Sequence, residues 1–220
     1  IRDRFLFGRD LTESHPYVQN KTPYHGPNQW PEGNPHFRQQ AEDYMHHLEL
    51  LGRKLVRLLA LSLELPEDFF DEGLKEPMII SRMLYYPSQP KDVQVNQLGA
   101  GAHTDWGLIT LLLQDAVGGL EVRNADGEWL KAPCIENTFV VNLGDMVPVL
   151  TNGLYHSTMH RVLNASKETP RYSFPTFFDL DYYYEASVVP TLRKPDEEYP
   201  EPITVGGHIA EMFNKTFGVK

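Results

Sequence analysis

The longest regular pattern in the chain runs from His36 to Leu63, where apolar residues recur at steps of three and four positions. Apolar residues at this spacing fall on one face of an α-helix, and polar residues such as Arg38 and Arg57 fall on the other. We therefore predict a long amphipathic helix that packs its apolar face on the core. The apolar positions that define this face are Tyr44, Leu48, Leu51, Leu55, Leu58 and Leu59.

The segments around this helix are less regular. Residues 1–35 are rich in Pro, Gly, His and Asn, which predicts an extended lead-in with turns. The acidic stretch Pro66 to Phe70 predicts one short turn of helix, because carboxylates favour a helix N-terminus. Val205 to Phe217 has helical spacing, with Met212 and Phe213 on its apolar face. The chain opens at Ile1 without an initiator Met, so we expect an N-terminal portion to be missing.

After Pro77 the pattern changes to short β-type runs separated by turn residues. Several short strands of this kind predict a sandwich or barrel rather than a parallel sheet. We expect one mainly-β domain over residues 1–220, with helices flanking the β-core. The predicted strands lie near 78–86, 108–114, 119–123, 138–142, 157–163 and 171–179.

Composition narrows the classes of function. The 220 residues include 41% hydrophobic and 11% aromatic residues, as in a folded globular protein. The formal net charge of −10 argues against nonspecific binding to nucleic acid or to anionic membranes, although a local basic pocket is compatible with it. Cys134 is the only cysteine, which favours a reducing compartment, and we expect the cytoplasm. No apolar run approaches the roughly 20 residues of a membrane span.

A candidate metal site begins at His103-Thr104-Asp105. In a strand, side chains two positions apart share a face, so one extended segment can present both ligands to one ion. His160 lies in a later β-type run and can reach the same ion from a neighbouring strand. Two imidazoles and one carboxylate form the ligand set of non-haem Fe(II) oxygenases. Taken alone, His-x-Asp is a short and common pattern, and only its surroundings favour a metal site.

A candidate anion site follows at Arg171-Tyr172-Ser173. Arg171 and Ser173 are also two positions apart, so their side chains point the same way in a strand. A guanidinium presents a planar fork of donors that matches a carboxylate, and the Ser hydroxyl adds one more donor. Without further context, a surface Arg on a strand is the simpler interpretation.

The surroundings of these residues resemble a known family. The chain is similar to the iron(II)/2-oxoglutarate-dependent dioxygenases, in the branch that includes isopenicillin N synthase. The resemblance is close over residues 77–185 and rests on four motifs in the family's order. These motifs are His103-Thr104-Asp105-Trp106-Gly107-Leu108-Ile109-Thr110-Leu111-Leu112, Val141-Asn142-Leu143-Gly144-Asp145-Met146, Thr151-Asn152-Gly153 with Ser157-Thr158-Met159-His160-Arg161-Val162, and Arg171-Tyr172-Ser173.

The resemblance implies a double-stranded β-helix, or jelly roll, at 77–185, with helical support from 1–76 and a C-terminal segment at 186–220. It implies that His103, Asp105 and His160 bind Fe(II), and that Arg171, Ser173 and Tyr86 bind 2-oxoglutarate. O2 is then the oxidant, and ascorbate is a candidate reductant. The family-like residues Asn142, Gly144 and Asp145 are expected to form a turn with a structural role.

The primary substrate is expected to be a small organic molecule. Strand parity places Arg82, Leu84 and Tyr86 on one face, so an inward Tyr86 makes Arg82 inward too. Arg82 would then need an anionic partner, which is either a substrate carboxylate or a nearby acidic residue.

Many relatives carry Asn where this chain has Leu84. The other expected cavity walls are the region before residue 77, the loop from Asp92 to Ala100 and the C-terminal helix around Met212 and Phe213. Phe177 is expected in the core or in the cavity wall. His156 and His208 are expected to have surface or packing roles.

Three functions remain open on the sequence. The first is an Fe(II)- and 2-oxoglutarate-dependent oxygenase that hydroxylates, desaturates or cyclises its substrate and releases succinate and CO2. The second is an Fe(II) oxidase of the isopenicillin N synthase type, in which Arg171 and Ser173 hold the substrate itself. The third is a non-catalytic metal-binding jelly roll, because a fold does not fix a function. We expect a monomer that binds neither nucleic acid nor membrane.

Overall fold

The computed structural model describes residues 3–88, 98–163 and 168–218. Its strands are β1 (Asp3–Gly8), β2 (Pro77–Tyr86), β3 (Leu98–His103), β4 (Ile109–Gln114), β5 (Leu120–Arg123), β6 (Trp129–Lys131), β7 (Val140–Leu143), β8 (His160–Leu163), β9 (Arg171–Asp181), β10 (Glu185–Ala186) and β11 (Ile203–Thr204). Its α-helices are α1 (Pro16–Gln19), α2 (Pro35–Ser62), α3 (Met146–Leu150) and α4 (Val205–Phe217), with a short 3-10 helix at Pro190–Leu192. None of these helices is long and apolar enough to cross a bilayer.

Two antiparallel sheets form the β-core. The larger has the strand order β1-β2-β9-β4-β7 and the smaller the order β3-β8-β5-β6. One cluster joins their facing surfaces, with Leu84 and Tyr86 from the large sheet packed on Leu120 and Val162 from the small sheet. This sandwich confirms the predicted jelly roll with flanking helices.

The other surface of the large sheet is covered by α2. This helix begins at Asn34, whose side chain accepts the Phe37 N–H at 3.1 Å, and Pro35 occupies its first turn. Its residues Leu48, Val56 and Leu59 are buried, in agreement with the apolar pattern at Leu48 and Leu59. Leu58 was predicted on the same face but is 59% exposed, because it lies beside Arg57 on the solvent side of the helix.

Several boundaries differ from the sequence pattern. The lead-in contains β1, which belongs to the large sheet. It pairs with β2 from Asp3 opposite Tyr85 to Gly8 opposite Ile80. The acidic stretch 66–70 forms a hydrogen-bonded turn, with the Phe69 N–H donated to the Pro66 carbonyl at 3.0 Å, in place of the predicted turn of helix. The strand predicted at 157–163 begins only at His160. Positions 92–97 of the predicted wall loop lie outside the described residues.

Strand pairing places the candidate site residues on the inner surface of the sandwich. Tyr86 is opposite Arg171, and Leu84 is opposite Ser173. Residues directly opposite one another in an antiparallel pair project to the same side. Arg82 lies two positions before Leu84 with no shift in register between them, which confirms that it shares this inner surface.

Candidate functional site

The two histidines of the predicted metal site are direct partners in the small sheet. His103 ends β3 and is opposite His160, the first residue of β8. Asp105 follows two residues after β3 in an irregular segment. Its Oδ1 lies 3.9 Å from His103 Nε2 and 3.7 Å from His160 Nε2. The fold therefore brings together the three side chains that the sequence predicted.

Both imidazoles are held in the orientation that a metal site needs. His103 Nδ1 lies 2.7 Å from the Gly101 carbonyl oxygen, and His160 Nδ1 lies 3.0 Å from the Thr158 carbonyl oxygen. A carbonyl can only accept, so each Nδ1 carries the hydrogen and donates it. Each Nε2 is then left with its lone pair, and both Nε2 atoms lie next to Asp105.

Two neutral donors fix the carboxylate of Asp105. Its Oδ2 accepts hydrogen bonds from the Thr110 hydroxyl at 2.6 Å and from the Asn142 amide at 2.9 Å. These bonds leave Oδ1 as the oxygen that faces the histidines. The sequence interpretation missed both donors. For Asn142 the signal was present, because it is the second residue of a family motif that was assigned only a structural turn.

The turn after Asn142 packs tightly on the segment that carries Asp105. A Cβ added at Gly144 would lie 2.2 Å from the Gly107 carbonyl oxygen, so only glycine fits there. The adjacent Asp145 accepts a hydrogen bond from the Thr104 hydroxyl at 3.0 Å. Gly144 and Asp145 thus form the predicted turn and pack on the ligand segment, whereas Asn142 lies in β7 and not in the turn.

The donor set fits a divalent transition metal. Two atoms that bind the same ion at roughly 2.1 Å lie no more than about 4.2 Å apart, and the two imidazole–carboxylate distances satisfy this limit. Two neutral imidazoles and one carboxylate suit Fe(II) and leave coordination positions for other ligands. The side chain of Asp105 is 7% exposed and that of His160 is 13% exposed, whereas that of His103 is 46% exposed. The accessible side of the cluster is therefore the side of His103.

Arg171 is a buried cation on the inner surface of the large sheet. Only 2% of it is exposed, and the Tyr86 ring lies 5.2 Å from its Cζ. Its Nε donates to the Gly118 carbonyl at 2.7 Å and its Nη2 to Gln114 Oε1 at 3.2 Å. Its buried Nη1 has no hydrogen-bond partner within the described residues. Burial lowers the pKa of Arg171, and Tyr86 and Asp115 offset part of that change.

A guanidinium of this kind fits a carboxylate ligand. An unpaired buried donor on a cation costs free energy unless an anion reaches it. Ser173 is 2% exposed and Tyr86 is 4% exposed, and both project from the same surface as Arg171. The three residues that the sequence indicated for an anion site therefore lie on one surface.

The remaining predicted wall residues divide into three groups. Leu84 is buried between the sheets. Arg82 lies with its Cζ 4.8 Å from the centre of the Phe177 ring, so these two residues contact each other on the inner surface. Phe213, on α4, is 39% exposed and makes an edge-on contact with Trp106 at 6.4 Å between ring centres.

Two other histidines were expected to have ordinary roles. His156 is exposed, as predicted. His208, on α4, lies with Nε2 2.9 Å from the Trp106 carbonyl oxygen and therefore donates to it. This bond ties α4 to the residue that follows Asp105.

A buried acid, Asp179, contacts the segment that follows Asp105. Asp179 is 2% exposed and accepts the Leu108 N–H at 2.5 Å. Burial raises the pKa of Asp179 to about 7, with a further increase from the charge of Asp105, while the Leu108 N–H lowers it. The sequence pattern gave no sign of this residue, because a carboxylate near the end of a strand looks like an exposed one.

The sequence of the chain is similar to proteins of one family. The profile of the 2OG-Fe(II) oxygenase superfamily matches residues 77–180. The chain is 39% identical over 226 residues to a 2-oxoglutarate-Fe(II) type oxidoreductase of Emericella nidulans, in an alignment that covers 99% of this chain and 64% of that protein. It is 36% identical over 225 residues to a 2-oxoglutarate-dependent dioxygenase of Didymella fabae, in an alignment that covers 99% of this chain and 68% of that protein.

Solved structures agree with the sequence relatives. A full-length protein of Neurospora crassa, solved in complex with alpha-KG and thymine, superposes with a TM-score of 0.86 at 30% identity. The match covers 98% of this chain and 65% of that one. The chain thus spans about two thirds of the length of the relatives it matches. On the profile match, the full-chain sequence identity and the shared fold, the chain belongs to the 2OG-Fe(II) oxygenase superfamily.

Proposed function

We propose that this protein is an Fe(II)- and 2-oxoglutarate-dependent oxygenase that oxidises a small organic acid. The observation that carries the proposal is the convergence of His103 Nε2, His160 Nε2 and Asp105 Oδ1, with each Nδ1 already committed to a carbonyl. These three residues would hold Fe(II). The names of the relatives, which refer to 2-oxoglutarate, support this function over the oxidase and over the non-catalytic protein.

When both are bound, iron and 2-oxoglutarate supply an oxidation in which O2 is consumed, succinate and CO2 are released, and a C–H bond of the substrate is oxidised. The chain's own contribution is position and charge. Arg171 would bind the distal carboxylate of 2-oxoglutarate through its unpaired Nη1. Ser173 and Tyr86, which project from the same surface, would complete that subsite. Ascorbate would serve as the external reductant.

Arg82 would recognise a carboxylate on the primary substrate. Its guanidinium lies against the Phe177 ring, on the same inner surface as Tyr86 and Arg171. The aromatic face of Phe177 stabilises the cation that packs on it and so fixes the position of the Arg82 guanidinium. Leu84 would give the wall between the two arginines an apolar character, and Phe213 would close the cavity from α4.

The remaining features of the proposal concern the whole protein. We propose one domain, with residues 1–76 as support, 77–185 as the catalytic core and 186–220 as a C-terminal cover. We propose a monomer of the cytoplasm, consistent with its single cysteine, Cys134. The partners are then small molecules, with no nucleic acid and no membrane.

The first experiment is anaerobic. Fe(II) and then 2-oxoglutarate are added to the protein, and the weak visible charge-transfer band of the chelate is measured. We expect the band in the wild type, its loss in Arg171→Ala and its retention in Arg82→Ala. If iron binds without a band, the oxidase becomes the better assignment, with Arg171 as a substrate anchor. Tight Zn(II) binding with no O2 consumption would support the non-catalytic protein instead.

A second experiment tests the substrate class. Small carboxylic acids and their primary amides are compared by substrate-dependent succinate release. We expect acids to be preferred by the wild type, and we expect Arg82→Gln to lose that preference with little change in KM for 2-oxoglutarate. Equal turnover of acids and amides by the wild type would reject the carboxylate assignment while leaving the oxygenase intact.

A further inference from the structure

The guanidinium of Arg171 is oriented by a residue that the proposed function does not use. Gln114 is 7% exposed and lies at the end of β4, directly opposite Ser173. Its Oε1 accepts from Arg171 Nη2 at 3.2 Å, and its Nε2 donates to the Ala132 carbonyl at 3.1 Å. The Ala132 carbonyl can bond only the NH2 end of this amide, so the oxygen end must face Arg171.

The acceptors that surround Arg171 are neutral. Gly118 offers a carbonyl oxygen and Gln114 an amide oxygen, and no carboxylate of the described residues forms an ion pair with the guanidinium. The nearest acidic residue in sequence to Gln114 is Asp115, whose carboxylate accepts the Tyr172 and Val117 N–H groups. Asp115 raises the pKa of Arg171 through its charge but forms no ion pair with it, so the guanidinium can still pair with an incoming anion.

The same position occupied by glutamate would have the opposite effect. Glutamate has nearly the same shape as glutamine, and its carboxylate would lie within hydrogen-bond distance of Arg171 Nη2. The resulting internal ion pair would satisfy the cation and would repel a second carboxylate. With glutamine at position 114, Arg171 can therefore bind an anionic ligand. With glutamate there, Arg171 would already be neutralised by an internal ion pair.

We propose that Gln114 is the positioning residue that selects a dicarboxylate cosubstrate. Its amide oxygen orients the guanidinium of Arg171. Because the amide is neutral, the charge of Arg171 can pair with the distal carboxylate of the 2-oxo acid. The inference rests on the proposed function, in which Arg171 binds 2-oxoglutarate. Its consequence is that the discrimination between 2-oxoglutarate and a monocarboxylic 2-oxo acid depends on the neutrality of residue 114.

The test uses the anaerobic Fe(II) protein and two probes, 2-oxoglutarate and 2-oxopentanoate. Both acids chelate iron through the same keto and carboxylate oxygens, and only 2-oxoglutarate carries a distal carboxylate. Affinities are read by titrating the charge-transfer band. In Gln114→Glu we expect 2-oxoglutarate to bind about 30-fold more weakly or worse, while 2-oxopentanoate binds within about threefold of the wild type.

Two further variants separate this role from a structural one. Cys134→Ala removes the thiol that donates to the backbone carbonyl of Gln114 at 3.3 Å and leaves the Arg171 contacts intact, so both acids should bind as in the wild type. Gln114→Leu removes the acceptor without adding charge, and we expect it to weaken 2-oxoglutarate by only about three- to tenfold. Thermal unfolding of the metal-free variants checks that each is folded.

Each outcome has a distinct meaning. The inference is overturned if Gln114→Glu weakens both acids equally, because residue 114 would then act only through the fold. It is also overturned if 2-oxoglutarate binds that variant as well as it binds the wild type. A wild type that forms no band with 2-oxoglutarate contradicts the proposed function itself, and this result is distinguishable from both of the others.

Discussion

Thr110 donates a hydrogen bond of 2.6 Å to Oδ2 of Asp105, and this bond determines which carboxylate oxygen faces the histidines. We expect Thr110→Val, which removes the hydroxyl but keeps the shape, to lower Fe(II) affinity about tenfold, because outer contacts of this kind orient metal ligands. Anaerobic Fe(II) titration measures the affinity. Thr110→Ser keeps the hydroxyl and should bind close to the wild type, and equal affinity in the Val variant would contradict the role.

The buried acid Asp179 gives the metal-free protein a specific pH dependence. Its pKa is raised from 3.8 to about 7, so between these values the folded state binds a proton that the unfolded state has released. The contribution of this group to the free energy of unfolding therefore falls as pH rises from about 4 to about 7. Asp179→Asn retains an acceptor for the Leu108 N–H and should flatten this part of the profile. Denaturant unfolding across the pH range measures it, and an unchanged slope would reject the assignment.

The contact between Gly52 and Phe178 leaves no room for a side chain. A Cβ at Gly52 would lie 2.3 Å from the Phe178 ring, at the interface of α2 with the large sheet. We expect Gly52→Ala to lower the free energy of unfolding by about 1–3 kcal/mol, despite the better helix propensity of alanine. Gly26→Ala is the matched control, because a Cβ there has no neighbour within 4 Å. A Gly52→Ala protein as stable as the control would show that the helix shifts without cost.

The bond from His208 to the Trp106 carbonyl makes α4 depend on the ligand segment. We expect His208→Ala to speed amide hydrogen exchange in α4 and to cost about 1 kcal/mol of stability. Exchange measured by mass spectrometry reports the helix separately from the β-core. In His208→Gln the side chain keeps an N–H donor, and protection should be largely restored. Unchanged exchange in the alanine variant would mean that the buried side chains of the helix, Val205 and Ile209, hold it without this bond.

Much of the fold could be predicted because apolar residues recur at the period of a helix or a strand wherever one face is buried. The long helix, β2, β4, β9 and α4 all follow their apolar patterns, and strand parity alone correctly placed Arg82 beside Leu84 and Tyr86. Two of the strands that the pattern missed carry little apolar signal. β3 is rich in glycine and ends at His103, and β6 has only three residues, so neither produces a recognisable alternation.

The sequence predicted the residues of the candidate metal and anion sites, but it did not predict the residues that orient them. His103, Asp105, His160, Arg171 and Ser173 stand in motifs with fixed spacing. The groups that orient them are ordinary residues, such as Thr110 and Gln114, whose importance arises only when strands from distant parts of the chain become neighbours. A single sequence shows residue types, whereas a hydrogen bond between strands depends on register.

Each imidazole of the candidate metal site is oriented by the carbonyl of the residue two positions before it, Gly101 for His103 and Thr158 for His160. The orientation of each ring is thus specified within a three-residue segment of the chain that ends at the histidine. The orientation of the two histidine rings therefore does not depend on the loops and helices around the cavity. Those elements can be exchanged or lengthened without changing how the rings point. An engineer who grafts new substrate walls onto this scaffold should keep those two tripeptides unchanged and is free to redesign much of what surrounds them.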